Sequence, residues 1–392
     1  MRPSPWLRLT ALVAAGATLL AVVSGAAGFD TAHRMLAALA LPPLVAIVVA
    51  AWFAHRRLLP VALAALLLFG AAALLTSDVV HVVASALAFA ATLVVVASVS
   101  RGEPASAGSW RDYVTLTKPR IMSLLLLTGL CGMVVGARGL PPAWLVAVTM
   151  LGLALACGGA SALNHVLDRD IDRLMGERTR ARPVAAERMP PTYALEFGLA
   201  LSAFSFVLLA SAVNVLTAAL ALVGNLFYVL VYTGWLKRAT PQNIVIGGAA
   251  GAVPPLVGWA AATGNLALPA LWLFLIVFLW TPPHFWALAL LLRDDYAAAR
   301  IPMLPVVRGE RVTTRQIVLY SGALVAITAA PFVAGTFGLG YLVAALALGA
   351  VFVGLAFRLR VDTTRRRAAL LFHYSLLYLA LLFIAMALDL VI

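Results

Sequence analysis

Thirteen apolar runs, most of them about 18 residues or longer, follow one another along this chain, and each is long enough to cross a bilayer as a helix. They cover roughly 8–29, 35–54, 60–76, 80–99, 121–137, 143–165, 193–212, 215–235, 243–262, 268–291, 315–335, 339–357 and 369–389. The implied fold class is an all-α polytopic membrane protein. With 64% hydrophobic and 11% charged residues and a mean hydropathy of +1.02, a soluble domain would have no surface to offer water. The net charge of +13 would suit nucleic acid in a soluble protein; here it marks positive cytoplasmic loops, and no nucleic-acid partner is expected. A cytoplasmic N-terminus puts every Lys and Arg inside except Arg34 and Arg138, and it leaves the C-terminus outside. Cys131 and Cys157 both fall within apolar runs and imply neither a disulfide framework nor a metal spacing. The first run has the basic flank of a signal peptide. A second run follows almost at once and the cleavage pattern is poor, so it is read as a retained helix.

The clearest linker is the Gly-, Pro- and Ser-containing stretch 101–110, which sets a four-helix bundle over 1–100 apart from nine spans over 111–392. In the larger part, cytoplasmic loops follow the second and sixth spans, and both open with acids and continue with Arg and Pro. A weak internal symmetry of this kind would bring two acidic clusters to face each other across one cavity.

Asn164, Asp168 and Asp172 are spaced i, i+4, i+8 and stand nearly above one another on a helix. Two carboxylates and an amide stacked this way call for a cation between them. Oxygen ligands one turn apart suit Mg²⁺, which shares its shell with water and substrate phosphate. Arg169, Arg173, Arg178, Arg180 and Arg182 follow closely and can meet phosphate from the other side. The alternative is a solvated loop obeying membrane topology. Asp294 and Asp295 offer a second ligand set at the end of the sixth span, where acid at a helix C-terminus would oppose the helix dipole. Lys118 and Arg120 are either topology markers or anion contacts. The glycines from Gly247 to Gly251 and the pair Pro254-Pro255 indicate close helix approach and a broken ladder. His165 reads as helix-end packing or a phosphate contact, His284 as a structural hydrogen bond or a substrate contact, and His373 as structural.

Taken in order, these motifs resemble the heme-farnesylating branch of the UbiA superfamily of intramembrane prenyltransferases. The residues that carry the resemblance are Leu116-Thr117-Lys118-Pro119-Arg120, Asn164-His165-Val166-Leu167-Asp168-Arg169-Asp170-Ile171-Asp172, Arg178-Thr179-Arg180-Ala181-Arg182-Pro183, Gly251-Ala252-Val253-Pro254-Pro255, Pro283-His284-Phe285, Asp295-Tyr296 and Ile301-Pro302-Met303-Leu304-Pro305. The match spans about residues 110–390; Arg300 stands where many members carry Gly. The resemblance implies a nine-helix UbiA-type bundle preceded by the four-helix transmembrane bundle, with Mg²⁺ and diphosphate at a cytoplasmic mouth. It implies farnesyl diphosphate and heme B as substrates and heme O as product. Asn164, Asp168, Asp172, Asp294 and Asp295 would hold the metal, while Lys118, Arg120, Arg178, Arg182, Lys237 and Arg308 would add positive charge around the diphosphate. Tyr228, Tyr232, His284 and Trp286 would line the prenyl and heme cavity.

The four leading runs suggest a small antiparallel bundle in which His33 and His81 lie at matching depth near the outer face. Two such imidazoles can ligate one heme iron, and these helices are similar to half of the heme A synthase family, whose substrate is heme O. No glutamate suited to oxidation chemistry accompanies them, so heme oxidation is not expected, and heme A synthase enters only as a partner. Prenylation of a quinone precursor or chlorin, ion transport through the acid clusters, and a bis-histidine cytochrome are the competing readings.

Overall fold

The computed structural model describes residues 5–26, 30–54, 59–74 and 108–391, together with scattered positions between 84 and 96. Three helices lead: α1 (Pro5–Ala26), α2 (Asp30–Ala54) and α3 (Leu59–Leu74). Small residues let them pack closely, with Ala11, Ala14, Leu44, Ile47, Ala62 and Ala65 in one buried cluster. Ala15 and Val22 of α1 also share a buried cluster with Val207, far along the chain. His81 and His55 lie outside the described residues, as do positions 101–107 of the linker and most of the fourth expected span; of His33 only the helical backbone is described.

The remaining chain holds nine helices long and apolar enough to cross a membrane, and among the described residues there are no others. An amphipathic helix α4 (Trp110–Thr117) precedes them. Ser109 starts it with a capping box, its hydroxyl accepting from Asp112 N while the Asp112 carboxylate accepts from Ser109 N. The spans are α5 (Pro119–Ala137), α6 (Ala143–Leu167), α9 (Pro191–Ala212), α10 (Val215–Ala239), α11 (Asn243–Thr263), α12 (Leu268–Leu291), α15 (Gly309–Val333), α16 (Leu339–Val361) and α17 (Arg365–Leu388). Short helices α7 (Arg169–Leu174) and α8 (Glu177–Arg180) lie in one loop, and α13 (Arg293–Ala298) and α14 (Leu304–Val307) in another. Every span expected after residue 110 is present. Two begin several residues earlier than hydropathy alone indicates, because Arg311, Arg315 and Arg365 to Arg367 occupy helical turns at the membrane edge.

Two features hold the site's scaffold together. At the crossing of α5 and α11, a Cβ on Gly132 would strike the Pro255 carbonyl and one on Gly258 would strike the Gly129 carbonyl, so both backbones meet directly. The expected break in α11 falls at Ala252, just before Val253-Pro254-Pro255. On the other side α12 and α15 to α17 enclose an apolar core in which Trp286 meets the Tyr320 ring edge-on at 5.3 Å and Phe352 meets Tyr378 at 4.9 Å. Beyond the last span, the Asp389 carboxylate accepts from the backbone N–H groups of Gly338 and Tyr341, tying the end of α17 to the start of α16.

Arg300 is a local conflict between sequence and backbone. Its φ of +55° is in the left-handed region that glycine occupies without penalty, and it lies exposed in the turn before Ile301. Arg300→Gly is therefore expected to stabilise the detergent-solubilised protein by about 1 kcal/mol. The check is a thermal melt, in which an unchanged or lower midpoint would contradict the strain.

Candidate active site

The acidic register survives a helix break. Helix α6 ends at Leu167 and Asp168 caps it, but Asp172 N still donates to Asp168 O at 2.8 Å, so Asn164, Asp168 and Asp172 remain on one face. All three are buried. Buried carboxylates demand partners, and each has a cation. Lys237 Nζ donates to Asp168 Oδ2 at 2.5 Å, and Arg182 donates to both Asp172 oxygens at 2.8 and 2.9 Å. Asn164 joins the pieces: its Oδ1 accepts from Lys118 Nζ at 2.8 Å, and its Nδ2 donates to Asp168 Oδ2 at 2.7 Å and to Thr233 Oγ1 at 3.2 Å. Six residues singled out in the sequence therefore meet at this point: Lys118, Asn164, Asp168, Asp172, Arg182 and Lys237.

The mutual electrostatics are those of a crowded site. Burial, and then the charges of Arg182 and Lys237, push the Lys118 ammonium down to about 7 against the pull of Asp168 and Asp172. Burial raises the Asp172 carboxyl above its ordinary value; Arg182 opposes this and Asp168 adds to it. Asp170, two residues from each of these aspartates, is engaged elsewhere. The Arg238 guanidinium forks across both its oxygens at 2.7 Å and holds it down at about 2, largely by that hydrogen bond.

The second acidic motif comes alongside through the loop between Leu174 and Glu177. The Asp295 carboxylate lies against Gly176, where a Cβ would come within 2.7 Å of Oδ2, so only glycine leaves it room. Asp294 instead is exposed. The expected opposition between these acids and a helix dipole does not arise. Helix α12 ends at Leu291 and α13 begins anew at Arg293, which puts Asp294 and Asp295 in a first turn, where carboxylates are favoured. Tyr296 is coupled electrostatically to both clusters. Burial raises its hydroxyl to about 12, with Arg182 opposing and Asp168 and Asp295 reinforcing.

The aromatic wall of the site has a cause that hydropathy does not reveal. From Phe227 to Leu236 the helix α10 is wound as a π-helix, whose wider turn brings Tyr228 and Tyr232 into a stack at 5.5 Å and carries Thr233 and Lys237 to the acidic cluster. Gly247 of α11 leaves the space that the Tyr232 ring fills. Thr233 and Gly176 were not singled out by the residue pattern, while Gly247 entered it only as a close-approach glycine and Tyr296 only within the Asp295-Tyr296 motif. A glycine directly after the acidic stretch and a Thr four residues before Lys237 were the available signals.

Other expected residues are placed differently. Trp286 is buried against Tyr320 between α12 and α15, so it supports the core rather than lining the site. Arg120, Arg178 and Arg308 are exposed. His284 is sandwiched between Trp280 and Phe372. Among the described residues, no three His, Cys, Asp or Glu side chains are gathered closely enough to form a metal cage by themselves. The donor set still suits a hard divalent cation shared with a ligand. It is all oxygen, and Asp168 Oδ1 is sealed within the protein without a hydrogen-bond partner.

Known proteins resemble this chain in the same region. Over 285 residues it is 55% identical to a protein named protoheme IX farnesyltransferase from Symbiobacterium thermophilum, covering 71% of this chain and 94% of that one. It is 53% identical over 282 residues to one of the same name from Roseiflexus sp. (strain RS-1), covering 72% of this chain but 53% of the relative, so the chain spans about half of that protein's length. Among solved structures, a digeranylgeranylglyceryl phosphate synthase superposes with a TM-score of 0.61 at 16% identity, covering 72% of this chain and 98% of the other. A UbiA homolog from Archaeoglobus fulgidus bound to GPP and Mg²⁺ gives 0.55 at 18% identity, covering 70% and 99%. At these identities the structures establish the fold. The profile of the UbiA prenyltransferase family matches residues 125–386, and the chain belongs to that family.

Proposed function

We propose that this chain transfers the farnesyl group of farnesyl diphosphate to a vinyl group of heme B, giving heme O. The observation that carries the reading is the buried junction of Lys118, Asn164, Asp168, Asp172, Arg182 and Lys237, with Asp295 beside it, at one end of a bundle of membrane-spanning helices. Relatives identical at 50% and 55% of the aligned positions, over 74% and 71% of this chain, are named protoheme IX farnesyltransferase, which supports heme B as the acceptor.

Lys118, Lys237 and Arg182 present positive charge to the diphosphate, and the exposed Arg120, Arg178 and Arg308 draw the anion in. The allylic C–O bond breaks and diphosphate leaves with the electron pair; the vinyl carbon attacks the freed carbon, and water adds to the resulting porphyrin-side cation with loss of a proton. Asp168, Asp172, Asp295 and Asn164 would hold Mg²⁺, which when bound would supply neutralisation of the leaving group's charge. The stacked faces of Tyr228 and Tyr232 flank the cationic carbon and keep water from it until the acceptor has reacted. No side chain serves as a covalent nucleophile.

The setting is a multi-pass cell-membrane protein with its N-terminus and active site on the cytoplasmic side and its C-terminus outside, supported by the distribution of Lys and Arg. In the domain arrangement we favour, 1–100 form an accessory bundle, 101–110 a linker and 111–392 the catalytic unit. The bundle offers His33 and His81 to a heme, and a heme A synthase would take up the product.

The test is an assay of membranes carrying the full chain, supplied with farnesyl diphosphate and heme B and read by reverse-phase chromatography. Heme O is expected with Mg²⁺ and none after chelation by EDTA. Product from a quinone precursor but not from heme B would overturn the acceptor, and undiminished product in EDTA would overturn the role of the metal.

A further inference from the structure

The geometry points to His284 as the axial ligand that receives the iron of the substrate heme through Nε2 and so orients the porphyrin for transfer. The inference rests on heme B being the acceptor. Three histidines have described side chains, and their surroundings differ sharply. Both ring nitrogens of His165 are sealed without a partner, and His373 turns Nδ1 to the Ala369 carbonyl on an exposed face of α17. Of the three, His284 alone is buried with one nitrogen tied to a side chain and the other left unsealed.

The hydrogen-bond network determines which nitrogen carries the proton. Ser375 Oγ has one hydrogen and donates it to the Phe372 carbonyl at 2.6 Å. Nδ1 of His284, 2.6 Å from the same oxygen, must then be the donor, which leaves the Nε2 lone pair for another partner. Ser375 is itself held, because Trp280 Nε1 donates to its carbonyl at 2.8 Å. The ring plane is fixed as well: Trp280 stacks on one side at 4.3 Å and Phe372 at 4.8 Å, while Phe285 meets the ring edge-on at 5.0 Å. A histidine whose Nδ1–H is anchored and whose Nε2 is free is the arrangement that orients an imidazole for a metal.

Its position agrees with the chemistry. His284 precedes the end of α12 by seven residues, which is roughly 10 Å along the axis, and Asp295 lies just beyond that end. An iron held there keeps the porphyrin in the membrane with its edge near the diphosphate residues. The neighbouring Thr281 packs on Gly248 of α11 while Trp280 and His284 meet α17, so the ring lies on the arc of α12 between those two helices.

The experiment uses the purified full chain carrying His33→Ala and His81→Ala, so that the leading bundle offers no imidazole from those positions. It is held in detergent with no prenyl donor and titrated with ferric heme B and separately with iron-free protoporphyrin IX; this background is the reference for the His284 variants. The background is expected to give the optical spectrum of a histidine-ligated heme. His284→Ala is expected to lose that spectrum and bind heme B at least about tenfold more weakly, with protoporphyrin IX affinity unchanged. Added imidazole should restore the spectrum. His284→Phe keeps the aromatic stack without a lone pair and should behave like the alanine variant. A histidine-type spectrum surviving in both variants would overturn the assignment, and so would an equal loss of heme and iron-free porphyrin binding, which would mean that the ring only packs. If the background ligates heme in this way yet the wild type transfers no farnesyl group to it, the proposed reaction fails while the ligand assignment stands.

Discussion

Asp168→Ala is expected to reduce farnesyl transfer by about a thousandfold or more, the scale seen when a charge-stabilising group is removed from a dry site. The side chain is fully buried, and two groups depend on it. Lys237 donates to it at 2.5 Å and the Asn164 amide at 2.7 Å, while its second carboxylate oxygen is the sealed atom suited to a cation. Truncation leaves the Lys237 ammonium buried without a counter-charge, a defect of about 3–5 kcal/mol. Loss of activity must therefore be separated from loss of fold. Asp168→Asn preserves shape and one hydrogen bond to Asn164, so it is expected to recover much of the folded yield but little of the rate. Asp170→Ala is the useful contrast, since that carboxylate is exposed on Arg238, and removing a surface ion pair costs about 1 kcal/mol or less. Chromatographic assay alongside gel filtration of solubilised protein measures both quantities. A well-folded Asp168→Ala variant with activity within tenfold of wild type would remove the acidic junction from the mechanism.

Gly258→Val should be the most damaging single change away from the chemistry. A Cβ at Gly258 would overlap the carbonyl oxygen of Gly129, an atom of a packed helix backbone that no rotamer change can move. Helices α5 and α11 would have to separate along a contact that also includes Gly132 and Pro255. Forced overpacking costs about 1–3 kcal/mol even where side chains can yield, and here they cannot. The folded fraction after solubilisation is expected to collapse. Gly322→Ala is the control, with nothing within 4 Å of the added methyl, and it should be neutral or mildly stabilising because alanine is the better helix former. Equal folded yields for Gly258→Val and wild type would show that the two backbones do not meet at this point.

Much of this protein was already legible as a string of residues. Membrane spans are set by local composition, because lipid forces each segment to satisfy its own backbone, and so nine helix positions followed from hydropathy. The spacing of Asn164, Asp168 and Asp172 was likewise local, and the register held across the break at Asp168. What tertiary structure decided was which groups from distant segments meet. Nothing near Lys237 indicates that it reaches Asp168, because that depends on a π-helical turn around Thr233, and π turns persist where packing and function offset their poorer hydrogen bonds. The same holds for the separation of Asp295 from Asp294 and for the burial of Trp286 against Tyr320 rather than in the cavity. Helix formation is governed by residues within a few positions of one another, whereas the active site is assembled across gaps of many tens of residues, and only the packed bundle determines those distances.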